Sequence, residues 1–136
     1  MKPIFQLLLF ISVLAWTSCD KNDDPYINES DLLLGYWDNS VPVDTMLRYE
    51  RTAGLKENTY GFAVKAGHVF VERKIDGWCG TPPVTYYDYQ GTWSRQDSVV
   101  DVDVAYWGGT VHYQWKIVSL DEKFLTIAFI KVQYSD

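Results

Sequence analysis

Apolar and polar residues alternate through most of the chain after residue 30, which is the pattern of strands that bury one face. The segment 98–106 alternates valine with aspartate, and the segment 110–118 alternates large apolar residues with His112, Gln114 and Lys116. Strands with one buried face and one solvent-exposed face are typical of antiparallel sheets. No amphipathic helix of useful length interrupts them. The pattern predicts eight strands, at residues 35–41, 45–51, 59–65, 68–75, 85–95, 98–106, 110–118 and 124–134.

Most connections between these strands are short, at Ala66-Gly67, residues 95–98, Gly108-Gly109 and residues 119–123. Glycine permits the positive φ of a tight hairpin, and short links place consecutive antiparallel strands side by side. Eight strands in this order tend to close into a barrel, which removes exposed sheet edges. We therefore predict an all-β fold, an antiparallel up-and-down barrel of eight strands, with a β-sandwich as the alternative.

Glycines and prolines mark two exceptions to this regular pattern. The link over residues 76–83 is long and contains two glycines and two prolines, which prevent regular structure. Gly91 lies inside the strand predicted at 85–95, where a glycine indicates a bulge or a sharp bend. Such a bend would help the sheet to curve into a barrel.

The amino-terminal segment reads as a secretory leader. Lys2 is followed by an apolar stretch over residues 4–16, too short to span a bilayer comfortably, and the small residues Thr17 and Ser18 precede Cys19. This arrangement resembles the lipobox of bacterial lipoproteins, whose cysteine becomes the acylated first residue. It implies a signal peptide over residues 1–18 and lipidation of Cys19. An ordinary signal peptide with an incidental cysteine is the alternative.

Lipidation would decide where the protein resides. Two or more acyl chains, such as palmitate, anchor a protein stably to a membrane. The segment 20–24 is acidic and resembles the export tag of some Gram-negative surface lipoproteins. We therefore expect residues 19–30 to form an acidic flexible tether and residues 31–136 to form the barrel domain. The expected location is the outer membrane at the cell surface, with the periplasmic face as the alternative.

Composition excludes some partners. Removal of residues 1–18 takes away Lys2 and no acidic residue, so the net charge of −6 becomes −7. An acidic chain does not bind nucleic acid phosphates, nor anionic lipid by charge. With Cys19 acylated, Cys79 has no cysteine left to pair with, so stability must come from packing.

Two short motifs resemble a known family. Gly35-Tyr36-Trp37 and Gly91-Thr92-Trp93-Ser94 resemble stretches of lipocalin-like domains in small Gram-negative lipoproteins, and the resemblance covers about residues 31–134. It implies a lipocalin-like barrel whose floor is closed by Trp37. The chain departs from the family in three ways: it lacks a Thr-Asp-Tyr motif, it has no arginine in its last strand to stack on Trp37, and it is short. The resemblance therefore supports the barrel shape of the family more strongly than it supports the family's role in ligand transport.

The sequence contains few residues that could form a catalytic or metal-binding site. His68, His112 and Cys79 lack the spacing of a zinc site, and no partner orients Cys79 as a nucleophile. Asp101 and Asp103 lie on the same face of one strand, but alternating acidic residues are ordinary on a solvent-exposed strand face. We expect a non-enzyme without cofactor or metal.

The first functional hypothesis is binding of a small apolar or amphipathic ligand inside the barrel. An eight-stranded barrel is only just wide enough for its own side chains, so a filled interior is the alternative. The aromatic side chains expected to point inward are Tyr60, Phe62, Tyr87, Tyr89, Trp93, Tyr113 and Trp115.

The second hypothesis is a protein-binding module at the cell surface, such as a protease inhibitor. The contact loop would contain Trp78, Cys79, Pro82 and Pro83, because prolines reduce the entropy lost on binding and tryptophan is a common anchor. A loop that merely covers one end of the barrel is the structural alternative. A third hypothesis is an accessory subunit of an outer-membrane complex.

Overall fold

The computed structural model describes residues 31–77 and 82–136, which form eight antiparallel strands. This part of the chain contains no helix long and apolar enough to cross a membrane. The all-β prediction is confirmed, and each predicted strand corresponds to an observed one. The strands are β1 (Gly35–Val43), β2 (Met46–Thr52), β3 (Gly61–Lys65), β4 (Val69–Ile75), β5 (Tyr86–Gln96), β6 (Val99–Tyr106), β7 (Gly109–Leu120) and β8 (Phe124–Ser135).

The strands close into one barrel in the order β1-β2-β8-β7-β6-β5-β4-β3, so the eight-stranded barrel is confirmed over the sandwich. From β3 to β8, consecutive strands pair as an up-and-down meander. The first hairpin is placed differently, because β1 pairs with both β2 and β3 and β2 pairs with β8. The link over residues 53–60 therefore carries the chain past β1. Where it passes, Thr59 donates a hydrogen bond to Asp38 and Lys56 donates one to Asn39.

The two ends of the barrel differ. We call closed end the one formed by residues 31–34 and the turns at 66–68, 97–98 and 121–123. We call open end the opposite one, which carries the turns at 44–45 and 107–108, the link between β4 and β5, and the end of β8. The inward side chains pack into one hydrophobic core, which begins at the closed end and extends into the barrel. Its buried residues are Leu33, Trp37, Phe62, Val64, Phe70, Tyr89, Trp93, Val100, Val102, Val104, Val111, Trp115, Leu125 and Ile127.

A short turn before β1 seals the closed end. Leu33 and Trp37 are completely buried, and the indole Nε1 of Trp37 donates a hydrogen bond of 2.9 Å to the carbonyl of Leu33. Asp31 accepts a bond from the Leu33 amide and forms a 2.8 Å ion pair with Arg95. Trp37 thus lies at the floor of the barrel, the position that the resemblance implied for it.

Arg51 stacks on that floor tryptophan, although the last strand offers no arginine. Its guanidinium carbon lies 4.3 Å from the centre of a Trp37 ring. The same group donates hydrogen bonds to the carbonyls of Leu32, Leu34 and Glu122. Arg51 can serve this position because it is directly opposite Trp37 in the β1–β2 ladder. It joins the sealing turn, the floor and the β7–β8 turn.

Gly91 is paired regularly with Phe70 on one side and Val104 on the other, so the expected bulge is absent. The glycine is required for another reason. A Cβ at residue 91 would lie 2.8 Å from the Cα of Val104 and still closer to the carbonyl oxygen of Asp103. Strands β5 and β6 therefore approach too closely here for any side chain.

Gly91→Ala should lower the free energy of unfolding by about 1–3 kcal/mol, the usual cost of forcing extra volume into a packed site. Chemical denaturation measures this. Gly54→Ala is the control, because a Cβ at Gly54 meets nothing within 4 Å and its effect should stay within about 0.5 kcal/mol. Equal effects of the two variants would contradict the close approach of β5 and β6.

Candidate functional site

The inward side of the barrel remains accessible at the open end. Phe129, Val132 and Tyr134 are cross-strand partners of the inward residues Trp115, Tyr113 and Val111, and so they share the inward face. Yet their exposed fractions are 42%, 47% and 62%. Large apolar side chains on the concave face of a barrel are normally covered by the opposite wall.

These side chains are exposed because β8 extends beyond the end of its neighbour β2. Strand β2 pairs with β8 only from Leu47 opposite Ile127 to Glu50 opposite Phe124. Within the described part of the chain, the end of β8 after Ala128 pairs with β7 alone. We call this open-end part of the interior the mouth. Contacts and the β7–β8 register link the residues assigned to it, with Asp76 at its rim: Glu72, Lys74, Tyr87, Tyr89, Tyr106, Tyr113, Phe129, Val132 and Tyr134.

A polar cluster lies at the base of the mouth. The ammonium of Lys74 is 2.7 Å from a carboxylate oxygen of Glu72, and both side chains are at least four-fifths buried. The hydroxyl of Tyr113 donates to the same carboxylate, at 3.2 and 3.3 Å from its two oxygens. The register explains this cluster, because Glu72 and Lys74 continue the inward face of Phe70 along β4. Charges placed inside a barrel need such partners.

Aromatic rings surround the ammonium of Lys74. Its nitrogen is 5.2 Å from the ring centre of Tyr89 and 6.0 Å from that of Tyr106, within the range of cation–π attraction. Two further tyrosines lie outside these, Tyr87 against Tyr89 at 5.1 Å and Tyr134 against Tyr106 at 5.2 Å, both edge to face. The mouth therefore has two layers of rings, an inner one around Lys74 and an outer one open to solvent.

Three tyrosines of the interior keep their protons more tightly than usual. Burial, and then the negative charge of Glu72, raise the pKa of Tyr49 and of Tyr113 well above 10. Burial, and then the hydrogen bond to Asp76, raise the pKa of Tyr89 to about 12. That bond is short, 2.6 Å from the Tyr89 hydroxyl to the carboxylate. Two of these phenols donate hydrogen bonds to carboxylates, Tyr89 to Asp76 and Tyr113 to Glu72.

Alkaline pH should reveal these three phenols. Their folded-state pKa values lie above the unfolded value of about 10, so their contribution to stability is intact below pH 10 and is lost as the pH rises toward the folded values. We expect tyrosinate absorbance to show some of the ten tyrosines titrating near pH 10 and these three only as the protein unfolds. Ionisation of all ten in one step near pH 10, with the fold intact, would contradict the assignment.

Trp115 has an unusual environment for a core tryptophan. It is 2% exposed and packs between Phe62 at 5.1 Å and Phe70 at 5.8 Å, and among the described residues its indole Nε1 is the buried side-chain polar atom without a hydrogen-bond partner. Trp93, equally buried, donates its Nε1 to the carbonyl of Lys65 at 2.8 Å. The two indoles therefore differ in polar pairing and hardly at all in burial.

This difference predicts unequal effects of phenylalanine at the two positions. Trp93→Phe leaves the Lys65 carbonyl without its partner, which costs about 1–3 kcal/mol in addition to the lost volume. Trp115→Phe breaks no hydrogen bond and removes a buried unpaired donor. We expect Trp93→Phe to be the more destabilising by at least about 1 kcal/mol in denaturant titrations. The opposite order would show that Trp115 Nε1 has an acceptor.

The seven rings predicted to line the interior divide into three groups. Tyr87, Tyr89 and Tyr113 belong to the mouth, Tyr87 at its solvent-facing rim with 57% exposure. Tyr60 lies just before β3, is 54% exposed and packs edge to face on Tyr86, so it is not part of the closed core. The remaining three are buried in the closed core and fill it: Phe62, Trp93 and Trp115.

Several mouth residues were missed by sequence reasoning. Lys74, Glu72 and Tyr106 could have been found by extending the alternation of β4 and β6 to their ends. Phe129 continues the alternation of Leu125 and Ile127, whereas Tyr134 could not be found in this way, because a bulge in the β7–β8 ladder between Gln114 and Trp115 changes which later β8 residues face inward.

The other residues singled out in the sequence are the contact-loop residues, the lipidation cysteine and the candidate metal ligands. Pro82 and Pro83 are exposed beside the open end, whereas Trp78, Cys79 and the lipidation residue Cys19 lie outside the described residues. His112 lies on the outer face between two carboxylates, 2.9 Å from Asp103 and 3.5 Å from Asp101. Within residues 31–77 and 82–136, no three His, Cys, Asp or Glu side chains form a group that could hold a metal ion.

No known protein adds to this picture. No family model, no curated protein and no solved structure matches the chain. The function is therefore argued from the geometry of the mouth.

Proposed function

We propose that this protein is a cell-envelope lipoprotein whose lipocalin-like barrel binds a small amphipathic ligand in the mouth. The observation that carries the proposal is the exposure of Phe129, Val132 and Tyr134 on the inward face of β8. Ligand sites are concave and largely apolar, with a few polar groups that fix orientation. The mouth combines apolar walls with the cluster of Glu72 and Lys74 at its base.

The closed core limits the ligand to the outer part of the barrel. Phe62, Phe70 and Trp115 contact one another with ring centres 5.1–5.8 Å apart, and each is at most 5% exposed. A ligand would rest on this layer and extend outward along β8. The site fits a short chain or one or two rings and excludes a long acyl chain buried end-on.

Lipidation of Cys19 would orient the mouth away from the membrane. Asp31 is fixed at the closed end by its ion pair with Arg95. The tether of residues 19–30 spans at most about 40 Å and averages about 20 Å if flexible. The closed end would therefore lie nearest the bilayer, and the mouth would take its ligand from the aqueous side.

Tryptophan fluorescence tests ligand binding, because Trp115 lies 6.5 Å from the mouth residue Phe129. Amphiphiles with short alkyl chains, titrated below their micelle concentrations, should change the emission saturably. Val132→Asp should weaken binding at least about tenfold by placing a charge on the apolar wall. Val118→Asp is the matched control, because Val118 is equally exposed, 48% against 47%, but lies on β7 toward the closed end.

If no amphiphile changed the tryptophan emission or the melting temperature, the proposed ligand site would be overturned. Equal weakening by Val132→Asp and Val118→Asp would place the ligand outside the mouth.

A second candidate function is binding of a protein partner at the cell surface. The edge of β8 favours it, since no described strand pairs with residues 129–135 on the β2 side, and an open edge can accept another strand. A photo-crosslinking residue at Ile130 should then trap a specific protein on intact cells, while one at Val69 should not. Trp78→Ala tests separately whether the β4–β5 link is the contact. An accessory subunit of an outer-membrane complex would give the same crosslinks.

A further inference from the structure

We propose that the mouth selects amphiphiles with a protonated amine or quaternary ammonium head over those with a carboxylate head. The inference rests on the proposed ligand site and adds the charge of its ligand. It follows from the charges and rings that line the mouth.

Among the residues that the structure describes, the charged groups of the mouth leave an excess of one carboxylate. Glu72 and Lys74 form an ion pair and neutralise each other. Asp76, at the rim, accepts a hydrogen bond from Tyr89, and among the described residues no lysine, arginine or histidine forms an ion pair with it. Asp76 is also exposed, so its second oxygen is accessible to a ligand.

The rings of the mouth suit a cation. Lys74 already shows the arrangement, an ammonium held between a carboxylate and the rings of Tyr89 and Tyr106. The outer layer offers the same kinds of group, the carboxylate of Asp76 and the rings of Tyr87 and Tyr134, and no cation within residues 31–77 and 82–136 pairs with Asp76. A ligand ammonium would pair with Asp76, with its apolar part against Phe129 and Val132.

A carboxylate head would find no equivalent partner. The one described ammonium in the mouth, that of Lys74, is already paired with Glu72 and mostly buried. An anion would also approach Asp76 and a chain with a net charge of −6. Fatty acids and bile-salt-like anions should therefore bind more weakly than cations of the same size.

Three probes with the same ten-carbon chain test this: decyltrimethylammonium, decyl glucoside and decanoate, each titrated below its micelle concentration against tryptophan emission. We expect the ammonium probe to bind at least about tenfold more tightly than decanoate, with decyl glucoside between them. Added salt should reduce the ratio, since part of it is charge attraction.

Asp76→Asn is the diagnostic variant, because asparagine keeps an oxygen that can accept the Tyr89 hydroxyl and removes the charge. It should reduce the preference for the ammonium probe to about threefold or less. Glu122→Gln, at the closed end, is the matched control and should leave the preference unchanged. Unaltered melting temperatures would show that both variants fold.

The outcomes separate the two proposals. If decanoate binds as tightly as the ammonium probe, the charge preference is overturned while the ligand site stands. If Asp76→Asn leaves the ratio unchanged, the assignment of that preference to Asp76 is overturned. If none of the three probes binds, the ligand site is overturned and the preference with it.

Discussion

Trp37→Ala should lower the free energy of unfolding by about 3–5 kcal/mol, the usual cost of removing a fully buried aromatic side chain. Trp37 is completely buried at the floor of the barrel, and its indole donates to the Leu33 carbonyl. Alanine would leave a cavity, free that carbonyl and remove the ring on which Arg51 rests. Since a small domain is stable by about 5–15 kcal/mol, this single change should bring it close to unfolding.

The matched control is Trp107→Ala. Trp107 is 52% exposed in the turn between β6 and β7, so its loss should cost about 1 kcal/mol or less. Chemical denaturation of both variants, with circular dichroism as the signal, measures the difference. Similar midpoints for the two variants would show that Trp37 does not close the barrel.

Arg51→Met should lower the free energy of unfolding by about 2–4 kcal/mol, because the hydrogen bonds of a charged donor contribute about 1.5–3 kcal/mol each and methionine retains part of the apolar contact. Arg51 donates to Leu34 at 2.6 Å, to Glu122 at 2.8 Å and to Leu32. Its loss would detach the turn before β1 from the β7–β8 turn.

Arg48→Met is the control for Arg51, because the guanidinium of Arg48 lies 5.0 Å from the centre of the Phe124 ring and makes no hydrogen bond to the described residues of the closed end. Its effect should stay within about 0.5 kcal/mol. Combining Arg51→Met with Trp37→Phe in a double-mutant cycle should give a coupling of about 0.5–3 kcal/mol, as expected for residues in contact. Additive effects would contradict the stacking of Arg51 on Trp37.

The sequence predicted strand positions best where one face of the strand is buried and the other is exposed to solvent. The valines of β6 at positions 100, 102 and 104 are almost completely buried, and the aspartates between them lie on the other face. Period-two alternation reports such burial directly, so the strand positions and the barrel followed from it. It does not report which strands pair, and the exchanged position of the first hairpin was therefore not predicted.

The candidate site was predicted less well than the fold. An inward position near the floor is a core position, as for Phe62 and Trp93, whereas the same register near the open end gives accessible residues such as Tyr87. Depth along the barrel depends on strand lengths and on the distance β8 extends past β2. Neither quantity is encoded in local alternation. Arg51 was missed for a related reason, because its contact with Trp37 depends on β1–β2 pairing.

The central claim is that the barrel is sealed at one end and takes a ligand at the other. Amide chemical shifts recorded during titration with decyltrimethylammonium test it most directly. The account predicts saturable shifts at residues 129–134 and around Lys74 and Tyr113, with residues 31–37 unchanged. Shifts confined to the closed end, or spread evenly over the outer surface, would contradict it.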